Sequence, residues 1–190
     1  MPRGPRLLPA EGIFHLIARA NHTVRAFRQS LDFIVFKKRL LRFSMQAGIM
    51  IHHYVLMNTH FHLLARVDDT KLLAPTMKAL LLSYHHYYRR KYAYKGHLWH
   101  SRYRSIIIAN EEQKLQCARY IELNPVHAKL CNDPQSYRWS SYHHYAFGTA
   151  DELIVDAEPT PRERLLYQQF VVSGIDLDYQ HLKKQYERGQ

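Results

Sequence analysis

The sequence predicts an α+β fold of the ferredoxin-like, split βαβ kind: an antiparallel sheet with two long helices on one face, a third helix at the other, and a C-terminal helical extension. Three observations predict it. Apolar residues recur with strand and helix periods in the order strand, helix, strand, strand, helix, strand, helix. The turn-forming pair Asn58-Thr59 joins the two central strand-like runs, which makes them an antiparallel hairpin. The chain has 190 residues, the size of one domain with a short appendage and enough to bury a core.

Residues 12–19 (GIFHLIAR) are a short apolar run after a proline-rich lead and form the first strand. Over residues 30–46, Leu31, Ile34, Val35, Leu41 and Met45 recur at helical spacing, and Gly48 stands just past the end as a stop. Residues 49–57 and 61–67 form the hairpin. Residues 71–92, rich in Leu and Tyr, form a second long helix that ends in Arg89, Arg90 and Lys91. Residues 102–109 supply a fourth strand, and Asn110 caps the third helix, with Gln113 three residues on completing something close to a capping box. The domain spans 1–147. Beyond it, 148–190 hold an acidic linker over 148–158, a helix opened by Pro161, and a last helix over 177–188.

Twenty-seven Lys and Arg against 16 Asp and Glu give a net charge of +11, which calls for a polyanionic partner. Nucleic acid fits better than a membrane, because no apolar run reaches spanning length and the charge is interleaved with aromatics able to stack on bases. No signal-peptide pattern opens the chain, and Cys117 and Cys131 are too few for a disulfide framework, so a cytoplasmic setting is expected.

The sharpest local signal is His60-Phe61-His62 within a strand. Side chains alternate, so both imidazoles face one side while Phe61 and Leu63 face the packed helices. Two imidazoles are a sensible half-site for a divalent ion, although an H-x-H in a chain with 14 histidines is as readily structural. On the third helix, Leu115, Cys117, Ala118 and Ile121 make an apolar arc, while Gln113, Gln116, Tyr120 and Asn124 line a polar stripe. Docked at the free sheet face, that stripe brings a phenol and an amide oxygen to the histidines. The plainer readings are a packed Tyr120 and an Asn124 that caps a new helix at Pro125. A phenol with a pKa of about 10 is a poor nucleophile at neutral pH. A cation on the histidines would bind the scissile phosphate and hold it in line for Tyr120.

The segments GIFHLIARAN, MNTHFHLL, GHLWHSRYRSIII, ARYIELNPVHAKL and YRWSSYHHY, spanning 12–145, resemble the single-tyrosine HUH transposases, in particular the REP-associated tyrosine transposases. Two segments depart from that family: Ala20 replaces a usual Gly, and Asn58-Thr59 a usual Pro-Asn. The resemblance implies His60, His62 and Asn124 as metal ligands, Tyr120 as nucleophile, and Mg2+ or Mn2+ as the ion. It further implies nicking and rejoining of single-stranded DNA near hairpin-forming, REP-like repeats, by a monomer or a homodimer.

Arg89, Arg90, Lys91, Lys95, Arg102 and Arg104 form a basic cluster fit to track phosphates or simply to be solvated. Trp99 either stacks on an unpaired base or fills the core, and Tyr84 with Tyr88 packs or stacks. Two competing functions use the same frame. A noncatalytic single-strand binder would carry stacking aromatics on its central strands, where this chain has His60 and His62. A phosphodiesterase would use water instead of Tyr120.

Overall fold

The computed structural model describes residues 8–21, 24–175 and 183–188. Its order is β1 (Gly12–Arg19), α1 (Ser30–Gln46), β2 (Ile49–Met57), β3 (His60–Val67), α2 (Thr70–Tyr92), β4 (Arg104–Ile108), α3 (Glu111–His127), α4 (Tyr142–Phe147) and α5 (Pro161–Val172). The sheet runs β2-β3-β1-β4 with every pairing antiparallel, which is the expected split βαβ arrangement.

Strand alternation divides the interior in two. Phe14, Leu16, Phe61, Leu63 and Leu56 face α1 and α2 and join Phe36, Leu40, Leu80 and Tyr84 in the main core. On the other face, Val55, Met57, Leu64 and Ile108 pack against Cys117, Ala118, Tyr120 and Ile121 of α3. With both faces covered, the strands read as near-continuous apolar runs with histidines set into them.

The buried stripe of α1 differs from the one expected. Leu31, Ile34 and Met45 are exposed, and the helix buries Phe33, Phe36, Leu40 and Ser44 instead. Both sets have helical spacing, and the aromatic set wins because Phe33 stacks on Phe27 while Phe36 meets the same ring edge-on. Asp32, fully buried in the first turn of α1, locks the two helices together. It accepts from the Arg28 and Gln29 backbone N–H groups at 2.8 and 3.0 Å, from Tyr87 and Tyr92 at 2.8 and 2.7 Å, and from the Lys91 ammonium at 2.7 Å. Burial works to raise its pKa, but these donors, Lys91 and Tyr92 foremost, hold it down at about 2.

The α3 cap forms as expected, with Asn110 accepting from the Gln113 N–H at 2.8 Å and Gln113 reaching back to the Ala109 N–H at 2.7 Å. Asn124 caps no new helix: α3 runs through Pro125 to His127. Nor is the acidic stretch after α4 a loose linker. Asp151 accepts from Tyr54 Oη at 2.6 Å and Lys37 Nζ at 3.1 Å, Ile154 bridges Ile51, and Asp156 accepts from His52 and Tyr145. The acids pin the segment to the outer edge of β2. After it, α5 opens on a Thr160–Glu163 capping box and contributes Val171 to a small core with Leu123, Tyr142 and Ala146. Of the last expected helix, 177–182 lie outside the described residues, and Lys184–Arg188 form a single π-helical turn.

Candidate active site

The first and third β1–β3 residue pairs counted from the hairpin turn set the site. Ile17 lies opposite His62 and Arg19 opposite His60, so His15, Ile17 and Arg19 of β1 share a face with His60, His62 and Leu64 of β3. The His60 and His62 rings are 5.1 Å apart, centroid to centroid, and the Tyr120 ring lies 5.7 Å from His62, edge on at 85°. The structure therefore brings His60, His62 and Tyr120 together across the α3 face of the sheet. Asn124 is buried one turn beyond Tyr120, and its Nδ2 donates to the Tyr120 carbonyl at 2.8 Å, which commits the nitrogen end of the amide to the helix.

The register of α3 is held from behind. Glu122, two residues from Tyr120 and fully buried, accepts from Ser141 Oγ at 2.6 Å and pairs with His53 Nδ1 of β2 at 3.1 Å. Tyr120 and Asn124 thus lie on the buried side of α3, continuous with Cys117 and Ile121, while Leu115 of the expected apolar arc is exposed.

Four participants were not singled out from the sequence: His15, Arg19, Lys183 and Tyr186. His15 Nε2 lies 2.9 Å from His62 Nδ1, with the rings stacked at 5.0 Å. Arg19 joins Arg102, Arg104 and Lys183 around a cleft of about 300 Å³ beside the histidines, floored by Ile17 and flanked by His100 and Ser101. Tyr186 lies over Tyr120 at 5.4 Å between rings and over His15 at 6.2 Å, leaving Tyr120 1% exposed. Period-two reading of the first strand would have found His15 and Arg19, which alternate as His60 and His62 do. Nothing local announces Tyr186.

The electrostatics favour neutral imidazoles. Burial lowers His60 to about 3, helped by Arg19 and Lys183. Burial also drives His62 well down, with His15, His60, Arg19 and Lys183 adding to it. Neutral imidazole is the ligating form, so the donor set fits a divalent first-row cation. Among the described residues no three His, Cys, Asp or Glu side chains converge as a ready ligand set. An ion here would rest on two imidazoles, with the remaining positions left to an amide, to water or to substrate oxygens.

The basic cluster divides. Arg102 and Arg104 line the cleft, whereas Arg89, Arg90 and Lys95 are exposed at the end of α2 and in the loop after it. Lys91 is spent on Asp32. Trp99 is a packing residue: its Nε1 donates to the Leu81 carbonyl at 3.0 Å and its ring lies against Phe61 and Tyr84. Tyr84 and Tyr88 are likewise buried, donating to the Ala26 and Arg25 carbonyls.

The fold and site define a class: a ferredoxin-like α+β protein whose central strand carries a histidine pair facing a helix-borne tyrosine. The family model described as "Transposase IS200 like" matches residues 11–124, and the chain belongs to that family. No curated protein matches it in sequence. Among solved structures, a REP-associated tyrosine transposase bound to a REP hairpin is similar over 86% of this chain and 96% of its own, with 13% identity and a TM-score of 0.66. A Deinococcus radiodurans protein described as a transposase covers 64% of this chain and 96% of its own, at 20% identity and a TM-score of 0.44. Among the described residues no helix is long and apolar enough to cross a membrane.

Proposed function

We propose that this transposase-family chain nicks and rejoins single-stranded DNA near hairpin repeats through a covalent phosphotyrosine on Tyr120. The observation that carries the reading is the meeting of Tyr120 with His62 and His60 beside a cleft walled by Arg19, Arg102, Arg104 and Lys183. A strand laid in that cleft has its phosphates countered by guanidinium and ammonium groups at the place where the imidazoles and the phenol converge. His60 and His62, with Asn124 as the further ligand the family resemblance implies, would hold Mg2+ or Mn2+. When bound, the ion neutralises charge on the nonbridging phosphate oxygens.

In the chemical step Tyr120 Oη forms a bond to phosphorus, the P–O3′ bond breaks, the phenol loses its proton and the departing O3′ gains one. The phosphotyrosine conserves bond energy, so a 3′-hydroxyl can attack it in reverse and rejoin the strand. The Glu122–Ser141–His53 contacts position the helix, so Tyr120 is presented by a fixed register.

The test is incubation of the protein with labelled hairpin oligonucleotides and Mn2+, followed by denaturing electrophoresis. A DNA-shifted protein band is expected from wild type and none from Tyr120→Phe. An indifferent Tyr120→Phe with no adduct in either protein would favour a plain binder, and continued cutting by Tyr120→Phe a water-using hydrolase.

A further inference from the structure

The contact between His15 and His62 poses a choice of proton. Two neutral imidazoles with nitrogens 2.9 Å apart share one hydrogen, so one ring donates and the other accepts. A donating His15 would leave the His62 proton on Nε2, and a protonated ring nitrogen has no lone pair to offer a cation. A donating His62 carries its proton on Nδ1 and keeps Nε2 basic.

We propose that His15 is a positioning residue: its Nε2 accepts the His62 Nδ1–H and so fixes the tautomer and ring plane in which His62 Nε2 serves a divalent cation. This rests on reading His60 and His62 as cation ligands. Ligating histidines generally donate their second ring N–H to a carboxylate, a carbonyl or water. Here the adjoining strand supplies an imidazole for that task. His15 sits two places along β1 from Ile17, the residue that pairs with His62, and so on the same face, and is wholly buried. The rings stack with only 22° between their planes, so His62 cannot turn without displacing His15. A hydrophobic side chain would fill the same place at less cost, which leaves the hydrogen bond as what the imidazole adds.

The experiment has two arms. In metal-free wild type, nitrogen-15 NMR of the histidine side chains is expected to show His62 protonated on Nδ1. Titration with Mn2+, read from the loss of the free-ion EPR signal, is expected to show binding about 10–100-fold weaker in His15→Leu. His15→Gln, whose Oε1 reaches the place of Nε2 and accepts the same hydrogen, should bind close to wild type. A His62 protonated on Nε2, or a folded His15→Leu that binds Mn2+ as wild type does, overturns the proposal. Should His15→Leu fail to fold, the NMR arm and His15→Gln still decide it. If wild type takes up no Mn2+, or His62→Ala takes up as much as wild type, the ligand reading fails, and the tautomer measurement judges His15 separately.

Discussion

Arg19 and Arg104 stand on neighbouring strands, Arg104 paired with Ile17 and Arg19 two places further along β1, and both line the cleft beside His60. If each neutralises one phosphate of a bound single strand, Arg19→Ala and Arg104→Ala should each flatten the dependence of log K on log salt by about 0.7. Lys91→Ala should leave that slope unchanged while lowering stability, since its ammonium is held by Asp32. Fluorescence anisotropy with a labelled oligonucleotide at several salt concentrations checks both; an equal loss of slope at all three positions would mean that the charge acts diffusely. At this scale the sequence was partly legible. His60, His62 and Tyr120 were visible because strand alternation and a well-capped helix are local rules. The partners that complete them were less so: His15 comes from another strand, Lys183 and Tyr186 from the far end of the chain. Lys91 and Trp99 show the converse, residue types suited to DNA that packing has claimed.

Helices and strands were legible in kind and order because their periods are intrinsic to the backbone. The face that each helix buries was less so. On α1 two apolar sets compete, and the aromatic contacts made by Phe27, a residue outside the helix, decide between them. The acidic stretch misled in the same way, because a carboxylate reads as solvated until its donors are known. Asp32 and Asp156 are both held at about 2, in each case by donors that outweigh burial: Lys91 and Tyr92 foremost for Asp32, His52 and Tyr145 for Asp156. A folded pKa below the unfolded value means that the unfolded chain takes up protons first as pH falls. The stability these acids contribute is therefore complete above about pH 4 and is lost between about pH 4 and pH 2. Asp32→Ala should cost about 3 kcal/mol at neutral pH, because it strands Lys91 and two phenols, and should remove much of that acid dependence. Urea melts of wild type and variant at pH 7 and pH 3 measure it; parallel losses at both pH values would refute the assignment.

For the whole molecule, the decisive relation joins the end of the chain to its centre. Tyr186 packs into the cluster formed by Tyr120, Cys117 and Ile121, and Lys183 closes one side of the cationic cleft. On the proposed reading Tyr120 must reach a phosphorus atom, which a phenol 1% exposed beneath Tyr186 cannot do, so turnover would require the Tyr186 ring to be displaced from Tyr120. The proposed activity then depends on an equilibrium between covered and open site, and weakening the cover shifts it toward the competent form. Tyr186→Ala should raise the single-turnover rate of adduct formation with a hairpin oligonucleotide, although deleting a buried aromatic costs about 3 kcal/mol or more of packing. Val171→Ala supplies the contrast, since it thins the small core under α5 without touching the ring over Tyr120. A faster Tyr186→Ala beside an unchanged or slower Val171→Ala marks the turn as a cover. If both variants slow the reaction in proportion to their lost melting temperature, Tyr186 is part of the scaffold that holds Tyr120 in place.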